Sequence, residues 1–239
     1  MKLLSLIALS LSLLFSCGQS KAKKQEKEPI NEVVTTLPQQ VKDTLLTFEN
    51  EKTGTLPPAF SQSFTGKGEL TDWKIVDDNG NKVIAQLSNK QPNYHFNNLI
   101  INDFDAKNMV LETKMKGVAG RKDQGGGFIW RYTDKNNYYV VRANPLEDNV
   151  VLYKVEKGKR TDLAVMGQGR TYGVEVDPIG NDWVNLKLEV VNDLFTVYLN
   201  GTQLFQVKDV TFSHSGKVGF WTKADAVTYF DEFKFSILE

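Results

Sequence analysis

Residues 125–144 read GGGFIWRYTDKNNYYVVRAN, and the way this stretch folds on itself decides the architecture of the chain. Two alternating runs flank a polar Asp134-Lys135-Asn136-Asn137 segment, the pattern of a β-hairpin. A four-residue turn at Asp134–Asn137 pairs Thr133 with Tyr138. Phe128, Trp130 and Tyr132 then share one face with Tyr139, Val141 and Ala143. The other face carries Ile129, Arg131, Tyr138, Val140, Arg142 and Asn144, with Arg131 and Arg142 as near-diagonal neighbours. A two-residue turn preserves these faces, whereas a three-residue turn would not. The expectation is one apolar face packed in a core and one polar face carrying both arginines.

The same alternation continues outward. From about Leu45 onward the chain consists of short runs rich in Val, Ile, Tyr, Phe and Thr, separated by Gly, Asn and Asp turns. Helical periodicity is nearly absent. The predicted strands are Asp72–Val76, Lys82–Leu87, Tyr94–Ile101, Met109–Val118, Gly127–Thr133, Tyr138–Asn144, Val150–Val155, Trp183–Val191, Phe195–Leu199, Lys217–Thr222 and Thr228–Ile237. Asn192-Asp193 and Asn200-Gly201 are type I′ turn dipeptides. Pairing Val191 with Leu194 puts Leu186, Leu188 and Val190 on the face of Phe195, Val197 and Leu199. This predicts an all-β fold, a two-sheet antiparallel jelly-roll sandwich over residues 45–239.

Composition narrows the function. The 239 residues are 41% hydrophobic and 11% aromatic, enough for a substantial core. Lys plus Arg equals Asp plus Glu at 29 each, which argues against nucleic acid as a partner. Lys2 precedes an apolar run from Leu3 to Phe15 that is too short for a stable membrane span, so residues 1–16 are expected to be an export signal. Leu14-Phe15-Ser16-Cys17 resembles the bacterial lipobox, which implies lipidation of Cys17, the only cysteine. Residues 17–44 are polar for most of their length and are expected to be a flexible tether. The expected address is the bacterial cell envelope, as an outer-membrane lipoprotein that meets the membrane only through its lipid.

A further set of motifs carries a family resemblance: the Gly125–Arg131 entry, Asp134–Tyr139, Arg142–Asn144, Asn149–Lys154, Val197–Gly201, Trp221–Asp225 and Tyr229–Phe233. Together they resemble bacterial concanavalin A-like jelly rolls of the lectin/glucanase type, the group with laminin-G-like and 3-keto-disaccharide hydrolase domains. The resemblance implies carbohydrate bound across a concave sheet. Planar donors and acceptors read sugar hydroxyls, and aromatic rings cover the apolar faces of pyranoses. The candidate ligand residues are Arg131, Tyr138, Arg142, Asn144, Trp221, Lys223 and Asp225.

Catalytic signals are weaker. Glu175-Val176-Asp177-Pro178-Ile179-Gly180 approaches the Glu-x-Asp-x-x-Glu strand of laminarinase-type glycosidases, but Gly180 replaces the third acid, so a strand end entering a turn is expected. Gly125-Gly126-Gly127 stands where the hydrolase domain has Asn-Ser-Gly, and a close backbone approach is its simplest use. His95 and His214 lack spaced metal partners, and no metal site is visible. Asp77-Asp78-Asn79-Gly80-Asn81 offers oxygens suited to calcium, the one cofactor left open, but reads first as a β-turn. The preferred reading is a carbohydrate-binding envelope lipoprotein; the alternatives are a glycoside hydrolase with a divergent site and a protein-interaction laminin-G-like module.

Overall fold

The computed structural model describes residues 40–238, arranged as antiparallel strands in two sheets. The expected export signal, Cys17 and most of the expected tether lie outside the described residues. Across the first sheet run β14 (Thr202–Lys208), β13 (Leu194–Leu199), β12 (Val184–Val191), β6 (Asn108–Ala119), β16 (Val227–Leu238), β4 (Asn81–Gln86) and β3 (Trp73–Asp78), with β1 (Gln40–Leu46) also paired to β16. Across the second run β10 (Lys159–Asp162), β9 (Asn149–Glu156), β8 (Asn137–Asn144), β7 (Gly126–Asp134), β15 (Lys217–Lys223), β5 (His95–Ile101) and β2 (Phe60–Gly66), with β11 (Val174–Glu175) beside β9. The two-sheet antiparallel sandwich is the architecture the sequence predicts.

Three of these strands, β1, β2 and β14, were not among those predicted, and neither were the short β10 and β11. Their low apolar content explains this: β1 reads QVKDTLL and β2 reads FSQSFTG. β1 extends the first sheet along β16 from Phe233 to Leu238.

The turn chemistry sets register where it was expected to. Val191 pairs with Leu194, Val190 with Phe195, Leu188 with Val197 and Leu186 with Leu199. Asn192 and Asn200 adopt φ of 53° and 49°, as a type I′ turn requires. Asp77–Asn81 close the β3–β4 hairpin, with the Gly80 N–H donating to Asp77 Oδ1 at 2.7 Å. Between the sheets, Phe128, Trp130, Tyr139 and Val141 pack with Leu186, Leu188, Phe195 and Phe220 in one continuous core. Burying each such side chain contributes about 1.5–3 kcal/mol.

The β7–β8 hairpin departs from expectation at one place. Its closing pair is Asp134–Asn137, around a two-residue turn. β7 takes four steps from Trp130 to Asp134 where β8 takes two from Tyr139 to Asn137. One surplus residue is absorbed at Arg131, where β7 takes three steps from Ile129 to Tyr132 against two in β15 from Gly219 to Lys217; its φ is 47°, and a Cβ on Gly216 would come within 2.7 Å of the Arg131 Cα. Such a bulge swaps the faces beyond it. Tyr132 turns outward, against Ile129, Tyr138 and Val140, and Arg131 turns toward the space between the sheets.

The outer face of the second sheet is not flat. Ser63 on β2 shares a hydrogen bond with the Tyr132 hydroxyl at 2.9 Å, and Thr65 with the Tyr138 hydroxyl at 2.7 Å. The Tyr94 hydroxyl donates to the Gly158 carbonyl at 3.0 Å and accepts the Arg160 N–H at 2.9 Å. β5 and β15 separate β2 from β7, β7 adds a third strand before β8, and β15, β7, β8 and β9 separate β5 from β10, so the sheet must curl for these partners to meet. Curling encloses a second apolar cluster of Phe96, Ile100, Ile129, Tyr138, Val140 and Trp221.

Candidate functional site

At the end of β8 away from its hairpin turn, the curled face carries a cluster of matched charges. Arg142 is 1% exposed. Its Nη2 donates to Glu147 Oε2 at 2.5 Å and to the Tyr153 hydroxyl at 3.2 Å, and its Nη1 donates to Asn149 Oδ1. Lys223, at the end of β15, pairs with Asp123 Oδ2 at 2.8 Å. The Tyr172 ring meets the Tyr153 ring edge-on at 5.9 Å and is 44% exposed.

Each part is positioned by local sequence. Asp123 lies in the loop before β7, and Asp225 fixes that loop by accepting the backbone N–H groups of Arg121, Lys122 and Asp123 at 3.0–3.1 Å. Asp123 Oδ1 accepts the Gly125 N–H at 2.7 Å. Gly125 lets Asp123 and Arg142 converge, since a Cβ there would sit 2.8 Å from Asp123 Oδ1 and 3.0 Å from Arg142 Cδ. At Gly127 a Cβ would lie 2.0 Å from the Val141 carbonyl oxygen, the close backbone approach expected of the glycine run. Glu147 and Asn149 belong to the β8–β9 connection and the start of β9, directly below Arg142. Tyr172 holds φ of 56°, an unusual backbone for an aromatic residue, in the segment between β10 and β11.

Electrostatics keep the cluster charged. Burial works against the Arg142 guanidinium, but Tyr153, Glu147 and Asp123 outweigh it and hold it above the ordinary arginine value. Burial likewise pushes Glu147 up, and the charge and hydrogen bond of Arg142 bring it below the usual carboxylate range. A general acid needs the opposite shift. Burial raises the Tyr153 hydroxyl, which therefore stays a neutral donor and acceptor. The site thus offers fixed donors, fixed acceptors and a half-exposed ring.

The structure sorts the predicted ligand residues. Arg142, Asn144 and Lys223 share the curled face with the cluster, and Tyr138 and Trp221 lie in its enclosed interior. Arg131 does not join them. Its guanidinium donates to the carbonyls of Phe212 at 2.7 Å, Lys107 at 3.1 Å and Asn192, and it sits over the Phe195 ring. The bulge at its own position is the reason. Asp225 is the loop latch, with its carboxylate oxygens taken by backbone N–H groups. Asp123, Glu147, Asn149, Arg160 and Tyr172 were missed. Asp123 just before three glycines was the one legible signal; Glu147 and Tyr172 lie in segments without periodicity.

Other surfaces offer less. Glu175 ends β11 and Asp177 follows it into a turn, as expected. A groove over the outer face of the first sheet is lined by Leu45, Val110, Val191 and Leu238 with the Lys187–Glu189 ion pair, and its lining holds no aromatic ring. Among the described residues, no group of three or more His, Cys, Asp or Glu is placed to hold a metal ion.

No family model matches the chain, and no curated protein matches it. Solved structures do. The chain is similar to the carbohydrate-binding module CBM66 from Bacillus subtilis, with 20% identity over 74% of this chain and 94% of that one, at a TM-score of 0.56. It is also similar to domain 4 of AbnA, a GH43 extracellular arabinanase from Geobacillus stearothermophilus in complex with arabinotriose, with 15% identity over 85% and 94% of the two chains and a TM-score of 0.47. A Bacillus subtilis protein of unknown function with a galectin-like fold matches at 10% identity over 75% and 90%, at 0.48. The likeness is one of fold, a curled two-sheet sandwich.

Proposed function

We propose that this chain binds carbohydrate on the curled outer face of its second sheet, at the Arg142–Glu147 and Lys223–Asp123 pairs beside Tyr172. The observation that carries the reading is the arrangement itself: buried Arg142 and Asp123 hold the partly exposed Glu147 and Lys223 in place beside a half-exposed ring. Sugar hydroxyls both donate and accept, so alternating planar groups of this kind match them, and the Tyr172 ring suits the apolar face of a pyranose. Both carboxylates are engaged by cations, which favours binding over glycosidic cleavage.

The second part of the proposal concerns placement. The Leu14–Cys17 run supports a lipid anchor at Cys17, with residues 17–44 as the lipidated cysteine and a tether that holds the domain at the bacterial envelope. Metabolic acyl labelling that is abolished by Cys17→Ser tests the anchor. Binding of the purified full chain to a polysaccharide panel, followed by titration calorimetry, tests the ligand class. Micromolar binding lost in Arg142→Ala supports it; no binding to any polysaccharide overturns it.

A further inference from the structure

Arg160 lies one tyrosine ring away from the charged cluster and carries no acid of its own. Its Cζ stands 4.4 Å from the Tyr153 ring centroid, 5.1 Å from that of Phe96 and 6.0 Å from that of Trp221. Arg142 Cζ is 5.9 Å from the same Tyr153 ring, so the two guanidinium groups share it. The acid on β10, Asp162, is held by Arg170 through Nε at 3.2 Å and through Nη2. Arg160 Nη1 is buried and has no hydrogen-bond partner among the described residues.

An arginine nitrogen out of water without an acceptor is costly. The rings of Tyr153, Phe96 and Trp221 hold the guanidinium in place without satisfying its N–H groups. Arg142 and Lys223 are already paired with Glu147 and Asp123, whereas Arg160 makes no salt bridge among the described residues, and Asp162, which feels its charge, is bonded to Arg170. A planar carboxylate is the acceptor whose geometry matches a guanidinium edge.

We infer that the preferred ligand is an acidic sugar, a uronate, whose carboxylate is bound by Arg160 while its hydroxyls meet the Arg142–Lys223 cluster. This rests on the carbohydrate reading and adds the charge of the ligand to it. Arg160 thereby becomes the residue that selects acidic over neutral glycans.

The test uses the full chain on a glycan array that carries neutral, sulfated and uronate-containing members, each uronate also present as its methyl ester. Uronate binding that falls at least about tenfold on esterification is expected. Arg160→Gln should bind acid and ester alike, at the level of the ester on the parent protein, and Arg160→Lys should keep part of the preference. Unchanged thermal unfolding of both variants shows that packing against Tyr153 survives. Equal binding of acid and ester, a preference confined to sulfated glycans, or a preference retained in folded Arg160→Gln overturns the inference and leaves carbohydrate binding standing. No binding to any member overturns both.

Discussion

Arg131 and Arg142, placed on one face by the alternation of their hairpin, are directed to opposite faces of the second sheet. Arg131 ties carbonyls at the rim of the inter-sheet space, and Arg142 anchors the charged cluster on the curled outer face. The bulge at φ 47° separates a residue that ties the two sheets from one that belongs to the charged cluster of the curled face. Opposite consequences for substitution follow.

Arg131→Met removes donors from the carbonyls of Lys107, Phe212 and Asn192, and should cost about 1–3 kcal/mol in urea unfolding, as leaving buried carbonyls unsatisfied does. Glycan affinity of the remaining folded protein should not change. A loss of affinity at temperatures where the variant is folded would place Arg131 in the site after all.

Tyr172→Ala should separate binding from stability in the other direction. The ring is 44% exposed and touches the site through Tyr153, so the substitution should leave stability within about 0.5 kcal/mol. Affinity should fall about tenfold, or about 1.4 kcal/mol. Calorimetry on glycan and thermal unfolding on the same preparation read both.

Asp225 acts through a loop. Asp225→Ala frees the backbone of residues 121–123 and with it Asp123, so hydrogen exchange at those amides should speed up and glycan affinity should weaken together. Asp225→Asn keeps one carbonyl acceptor and should recover part of both effects. Exchange that is unchanged while affinity falls would mean that Asp225 touches the ligand directly.

The dependence on pH follows from Glu147. Its folded value lies below the ordinary 4.5, because the charge and hydrogen bond of Arg142 outweigh the burial that raises it. A depressed carboxyl contributes above its unfolded value, and the contribution is lost as pH falls through the folded one. Glycan affinity should therefore be level at neutral pH and be lost only once the pH has fallen below the ordinary carboxylate range, with circular dichroism confirming the fold. Glu147→Gln should remove that acid limb.

How much of this was legible in the sequence depends on periodicity. Phe128, Trp130, Tyr139 and Val141 announce their face by strict alternation, and Asn192-Asp193 fixes the register of Leu186, Leu188 and Val190. Arg131 could not be placed, because a bulge inverts the alternation without changing composition. The charged cluster was half visible: Arg142, Asn144 and Lys223 stand on strands, whereas Asp123, Glu147 and Tyr172 come from connections whose course depends on tertiary contacts. Arg160 sits in Lys157-Gly158-Lys159-Arg160, which reads as a solvated turn until the sheet curls and sets it over Tyr153.

The most direct test of the central claim is an amide and side-chain NMR titration of the full chain with the tightest glycan from the panel. The account predicts that shift changes concentrate at Asp123, Arg142, Glu147, Tyr172 and Lys223. Changes confined to the first-sheet groove of Leu45, Val110, Val191 and Leu238 would contradict it.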